Sequence, residues 1–236
     1  MNQEKRLEIL EKAKDFFRKN VVEAHINAGL ERASQLDEYN VNPFLFKYLA
    51  NFLRGNDSPR SIAEALIYPR ILGSSITTIF GTHWQAIIAE LFEGMGSVTH
   101  GIDIEYIDAL DGKKKYCQIK SGPNTINKDD ITTILNHFKD IRGLARVNKL
   151  SIGIDDLVVG VLYGTPAELS NHYNTINKTH PVFVGQEFWY RITGDENFYF
   201  ELIESIGSVA KEVDASKKLE EAIEKLTQEV KAFLEE

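Results

Sequence analysis

Two stretches of this 236-residue chain carry residue types that could act together on a substrate. Residues 101–107 read GIDIEYI, a strict alternation of apolar and acidic positions, which is the period of a β-strand. Asp111-Gly112 is a hairpin-turn dipeptide, and residues 115–120, KYCQIK, resume the alternation as a return strand. Side chains two apart on a strand share a face. Asp103 and Glu105 therefore point one way, while Ile102, Ile104 and Tyr106 point into the core. On the return strand Gln118 and Lys120 share a face with Tyr116, and Cys117 and Ile119 take the other. A hairpin closed at Asp111-Gly112 brings a carboxylate, an amide oxygen and an ammonium onto one small area of sheet. That set suits metal-assisted hydrolysis of a phosphodiester. The hard carboxylate oxygen binds Mg²⁺, and the metal acidifies a water and neutralises the phosphate. The lysine orients that water, or deprotonates it as the neutral amine, and as an ammonium stabilises developing charge.

Other chemistry is largely absent. The chain has no Walker-type phosphate loop, no G-x-G-x-x-G, no G-x-S-x-G elbow and no H-E-x-x-H. Its six histidines have no metal-ligand spacing, and the single cysteine, Cys117, excludes an intrachain disulfide and a Cys-only zinc site. The segment 121–128, SGPNTINK, reads first as a Gly-Pro turn followed by an Asn127 helix cap. It also offers Asn124, Thr125, Asn127 and Lys128 as DNA contacts, since Asn pairs bidentately with adenine and Asn, Thr and Lys reach phosphates. Arg142, Arg146 and Lys149 extend that basic surface, with nine Lys/Arg against three Asp over residues 113–149. The net charge of −8 argues against a protein that coats nucleic acid, but one basic surface suffices for a polyanion.

The elements that must hold these residues follow from periodicity. With 43% hydrophobic and 26% charged residues, the chain is an ordinary globule large enough for one substantial domain. No apolar run approaches the ~18 residues of a membrane span, and the charged, amphipathic start is unlike a secretory signal, so a cytoplasmic protein with no membrane contact is expected. From residue 4 to about 70 the pattern is helical, with Leu7, Leu10, Phe17, Val21 and Ala24 at three- and four-residue spacing. Asn42-Pro43 opens a helix over 44–53, and Ser61 is a candidate cap for the next. The T-x-x-Q spacing of Thr82 and Gln85 predicts a helix from His83 to Phe92, ended by Gly94. Asn127 caps a helix with a stripe of Ile131, Ile134, Leu135 and Phe138, and 157–163 suits a buried central strand. Residues 183–190 and 198–202 read as extended. The last helix carries an apolar stripe from Leu219 to Leu234 that must be buried on its own domain or on a second copy. The expectation is a single domain over 1–236: a helical region at 1–75, an α/β core at 76–205, and a C-terminal amphipathic helix at 208–236.

Asp103, fourteen residues, then Gln118-Ile119-Lys120 resembles the D…(D/E/Q)-x-K signature of the PD-(D/E)xK nuclease superfamily. The continuation from Ser121 to Lys128 is similar to type II restriction endonucleases that cut GGNCC-like palindromes. The resemblance spans roughly residues 80–140 and weakens through 157–203. It implies a restriction-endonuclease-like α/β core, a central mixed sheet flanked by helices, with helical additions at both ends. It implies Mg²⁺-dependent cleavage of double-stranded DNA at a short palindrome by a homodimer. Asp103, Gln118 and an acid on the preceding helix would hold the metal, and Lys120 would act on the attacking water. Glu90, about 60° from Ile87 on the shoulder of the apolar stripe, is a better candidate for that acid than Glu93. Ile102 stands where the family usually has proline, and Gln118 replaces the second carboxylate, a charge that Glu105 on the same face could supply. Two other readings remain: a structure-specific or repair nuclease on the same core, and a non-catalytic DNA-binding module.

Overall fold

The computed structural model describes residues 2–92, 95–213 and 215–235, and all side chains within them except those of Ser74, Ser75, Trp84, Gln85, Ala89, Glu90 and Ala210. The described residues form ten α-helices and one four-stranded sheet. Helices α1 (Gln3–Phe17), α2 (Leu30–Ala33), α3 (Phe46–Arg54), α4 (Pro59–Pro69) and α5 (Ile76–Leu91) precede strands β1 (Ile104–Ile107) and β2 (Lys114–Lys120). Then come α6 (Lys128–Val147), β3 (Leu157–Val161), α7 (Asn171–Ile176), β4 (Val182–Val184), α8 (Gln186–Thr193), α9 (Phe198–Glu212) and α10 (Ser216–Glu235).

The strands lie in the order β1-β2-β3-β4. The hairpin is antiparallel with Ile104 opposite Cys117 and Glu105 opposite Tyr116, and β2, β3 and β4 are parallel. This register puts Glu105, Tyr116, Gln118 and Lys120 on one face, as the alternation requires. The alternation does not extend back through residues 101–103: Ile102, expected beside Ile104, packs instead in the cluster of Tyr116, Val159 and Val161. The crossover from β2 to β3 is α6, which lays Ile134, Phe138 and Ile141 over Leu157, Val159 and Val161. Its start is fixed by a capping box: Asn127 Oδ1 accepts from the Asp129 and Asp130 amides at 2.7 and 3.0 Å, and Asp130 accepts from the Asn127 amide at 2.7 Å. On the opposite face Gly160 is the point of closest approach, where a Cβ would lie 2.1 Å from the Phe188 ring.

The chain divides into two compact units, one of residues 1–13 and 84–205 that holds the sheet, and one of residues 14–83 and 206–236 that is helical. In the helical unit α10 buries Ala222, Ile223, Leu226 and Val230 with Ile62, Ala63 and Ile67 of α4. The C-terminal stripe is thus covered mainly by its own chain.

Several local expectations are corrected. Helix α5 begins at Ile76 rather than His83. It continues from the π-helical turn Arg70–Ser75, so no cap is needed, and Thr82 donates its hydroxyl to the Thr78 carbonyl in mid-helix. Ser58, not Ser61, caps α4, with Pro59 in the first turn. In the segment 183–190 only the first two residues belong to β4, and α8 begins at Gln186. Residues 198–202 open α9, where Phe198, Leu202 and Val209 recur on one buried face; the local aromatic content suggested a strand, but the longer period decides. The helix end placed at Gly94 lies outside the described residues.

Candidate active site

Asp103 stands one residue before β1. Its amide donates to the Cys117 carbonyl at 3.0 Å, extending the ladder by one rung. Beyond that rung β1 offers no further acceptor, and the Asp103 carboxylate takes its place: Oδ2 accepts from the Ile119 amide at 2.6 Å. A side chain thus replaces a strand at the edge of β2, and this fixes the carboxylate beside Gln118-Ile119-Lys120. A charge-assisted bond to a backbone amide is stronger than a neutral one.

Gln118 is nearly buried at 6% exposure. Its Nε2 donates to the Gly101 carbonyl and lies 2.9 Å from His137 Nδ1 on α6. Three elements therefore meet at one amide: the turn before β1, strand β2 and helix α6. Lys120 ends β2, half-buried, with its carbonyl accepting from the Leu162 amide at 3.0 Å. Among the described residues its ammonium has no carboxylate partner within 4.0 Å.

Glu105 shares the face but is engaged elsewhere. Its carboxylate accepts from Ser97 Oγ at 2.7 Å and Thr99 Oγ1 at 3.2 Å and pairs with Lys114 Nζ at 2.7 Å. Burial opposes its ionisation, but the bonds to Lys114, Ser97 and Thr99 outweigh it and hold the carboxyl below its ordinary value. Glu105 ties the 97–99 segment to the hairpin. Glu90 lies on α5, three residues after the buried Ile87, with its side chain outside the described set; Glu93 is outside the described residues altogether.

The loop after β2 is organised from within. Thr125 Oγ1 donates to the Gly122 carbonyl at 2.8 Å and lies 3.1 Å from the Tyr173 hydroxyl, which also donates to Gly122 at 3.0 Å. Thr125 and Asn127 thus shape the loop and cap the helix. Asn124 and Lys128 are exposed, with side chains that have no partner among the described residues. Farther along α6, Lys139, Arg142 and Arg146 line a depression of about 530 Å³ with His180, whose ring burial holds it below its ordinary pKa.

His137 and Gly101 were not singled out as site residues by sequence. The available signal was position: His137 follows Ile134 by three and precedes Ile141 by four, on the shoulder of the buried stripe. A polar ring there must find a partner across the sheet.

An antiparallel hairpin feeding two parallel strands, covered by helices and holding an aspartate beside Gln-x-Lys, is consistent with a restriction-endonuclease-like core, and the family comparison gives its class as a type II restriction nuclease. The family model described as Type II restriction endonuclease EcoO109I matches residues 8–214, and the chain belongs to that family. It is therefore a site-specific deoxyribonuclease acting on DNA. No curated protein matches the chain. Among the described residues no helix is long and apolar enough to cross a membrane.

Proposed function

We propose that this chain hydrolyses both strands of double-stranded DNA within a short palindromic sequence, depends on Mg²⁺, and acts as a homodimer in the cytoplasm. The observation that carries the proposal is the Asp103 carboxylate held on the Ile119 amide, beside Gln118 and a Lys120 ammonium that has no carboxylate partner among the described residues.

The donor chemistry fits Mg²⁺, a hard cation that takes oxygen ligands. Asp103 supplies a carboxylate, Gln118 an amide oxygen, and Glu90 is the third candidate. Gln118 contributes a dipole where a glutamate would contribute a full charge, so weak Mg²⁺ binding is expected. When bound, Mg²⁺ lowers the pKa of a water and neutralises phosphate charge. Lys120 presents its ammonium to the same face, where it orients that water and stabilises the transition state. Asn124 and Lys128, with the loop shaped by Thr125 and Asn127, and the α6 cations Arg142 and Arg146 contact DNA. A palindrome presents two equivalent strands, and a two-fold dimer presents two equivalent sites.

Digestion of a sequenced plasmid over a Mg²⁺ titration tests the proposal. Discrete fragments with uniform ends, absent without Mg²⁺ and abolished by Asp103→Asn, are the expected result. Nicks or a smear would support a structure-specific nuclease instead. Intact DNA at every Mg²⁺ concentration would support a binding module.

A further inference from the structure

We propose that His137 is a positioning residue: its Nδ1, together with the Gly101 carbonyl, locks the Gln118 amide in the orientation that leaves Oε1 to the metal. The inference rests on the reading of Gln118 as a metal ligand.

A glutamine side chain is nearly symmetric in shape, and its surroundings alone decide which end carries the oxygen. Here they decide it. One end of the Gln118 amide faces the Gly101 carbonyl, which can only accept, and His137 Nδ1 at 2.9 Å. That end must be the NH₂, whose two protons satisfy two acceptors. Turning the amide over would set its oxygen against the Gly101 carbonyl in a residue that is 6% exposed, leaving that acceptor unsatisfied. Oε1 then lies at the opposite end of the amide, where it has no partner among the described residues. For Nδ1 to accept, the His137 ring carries its proton on Nε2.

The ring is itself held. Gly101 has φ +79°, and a Cβ there would lie 2.5 Å from the His137 ring, so a glycine is needed for the turn to rest on it. His100 packs edge-on against the same ring at 5.1 Å between centroids. The turn that supplies the Gly101 carbonyl leads two residues later into Asp103. One piece of backbone therefore places the carboxylate and orients the amide. A glutamate at 118 would be charged but would set an oxygen against the Gly101 carbonyl; the glutamine supplies the N–H that this turn requires.

The test measures metal binding by the full-length protein without turnover, as Mn²⁺ titration followed by electron paramagnetic resonance, at a pH where histidine is neutral. Melting temperature is recorded for each variant to exclude loss of fold. Partners of a metal ligand typically contribute ten- to a hundredfold to affinity, so His137→Ala should weaken Mn²⁺ binding roughly tenfold. His137→Asn, whose amide oxygen can occupy the place of Nδ1, should recover most of that loss. Gln118→Ala should weaken binding at least as much, and the double variant Gln118→Ala/His137→Ala should be no worse than Gln118→Ala alone. Unchanged Mn²⁺ affinity in His137→Ala beside weakened affinity in Gln118→Ala overturns the positioning role and leaves the ligand reading intact. Unchanged affinity in Gln118→Ala overturns the ligand reading, and the proposal with it. A loss in His137→Ala that Asn does not recover assigns His137 to packing and also overturns the proposal.

Discussion

Lys120 is half-buried at the end of β2, and among the described residues no carboxylate neutralises it. A cation kept unpaired beside a carboxylate-bearing edge is available to a phosphate. Lys120→Ala should therefore lower single-turnover cleavage by about a hundredfold or more, the scale of one lost electrostatic donor, while Ca²⁺-supported DNA binding stays close to wild type. Cleavage within threefold of wild type would remove Lys120 from the mechanism. Counting charge alone, Gln118→Glu should tighten Mg²⁺ binding. The geometry opposes this at one point, because the new oxygen meets the Gly101 carbonyl, whereas His137 can answer it with an Nδ1–H. The expected outcome is cleavage reduced at every Mg²⁺ concentration. A lower half-saturating Mg²⁺ in Gln118→Glu would show that the Gly101 carbonyl does not constrain the position. Glu105→Ala separates the other candidate: since Ser97, Thr99 and Lys114 occupy that carboxylate, cleavage should persist and the melting temperature should fall. With its native pKa lowered, Glu105 contributes stability above the ordinary carboxylate range, and that contribution disappears as pH falls through the lowered value. The melting-temperature difference between Glu105→Ala and wild type should accordingly shrink in acid. A constant difference would mean the ion pair is not its source. The face shared by Gln118 and Lys120 was legible because strand alternation is a covalent property of the backbone. The bond from the Ile119 amide to Asp103 was not, because Asp103 stands before the strand, where alternation no longer holds. The occupancy of Glu105 was not, because its partners Ser97 and Thr99 lie in a segment without periodicity.

The elements divide in the same way. The hairpin, the Asn127 cap and the buried strand β3 each carry a local signal of turn, cap or composition, and each is present, though β1 begins at Ile104 after the Gly101 turn rather than at residue 101, and β3 ends at Val161 rather than at residue 163. Helix α9 does not, because its first five residues, Phe-Tyr-Phe-Glu-Leu by type, have strand composition and acquire helical meaning only with Val209, two turns on. Helix α5 hides its start because no cap exists to be read where π-helical backbone runs straight into it. The tightest packing in the sheet was also invisible to sequence. Gly160 in the middle of β3 reads as a weak point in a strand, yet it is where the Phe188 ring of α8 reaches the sheet. A Cβ 2.1 Å from that ring cannot be accommodated without moving it. Gly160→Ala should therefore destabilise the sheet-bearing unit by about 1–3 kcal/mol, the usual cost of overpacking a core. Chemical denaturation monitored by tryptophan fluorescence will report it, since Trp189 is adjacent to Phe188 and donates to the Leu162 carbonyl at 2.9 Å. A neutral result would mean that Phe188 has room to withdraw.

At the scale of the whole molecule the proposed homodimer needs a surface on which two copies could meet. The C-terminal stripe expected to serve a fold or a partner is mostly engaged with α4 of its own chain, so it leaves little for a subunit contact. Helix α3 is different. Phe46 and Ala50 face inward, while Phe44, Tyr48 and Phe52 remain 88%, 61% and 80% exposed. Tyr48 and Phe52 stack on each other at 6.2 Å, and beside them Leu49, Leu53, Tyr68, Pro69 and Leu72 line an apolar groove of about 440 Å³. At about 200 Å² per aromatic side chain the three rings expose roughly 450 Å², and the exposed leucines of the same face bring the patch toward the ~800 Å² that each partner buries in a standard interface. A patch that large is unusual on a monomer. Its form also suits a second copy of this chain: a ridge next to a groove is self-complementary under a two-fold axis, the ridge of each protomer seating in the groove of the other. The proposed homodimer should therefore use α3. Phe44→Ser/Phe52→Ser changes two residues that bury little in the protomer, so the fold and melting behaviour should survive. Sedimentation velocity at micromolar concentration should show a dimer for the wild type and a monomer for the double variant. Because a palindrome is cut by two sites acting together, the variant should nick plasmid slowly where the wild type linearises it. A double variant that remains dimeric would place the interface on another face, and a wild type that is monomeric with and without DNA would remove the homodimer altogether.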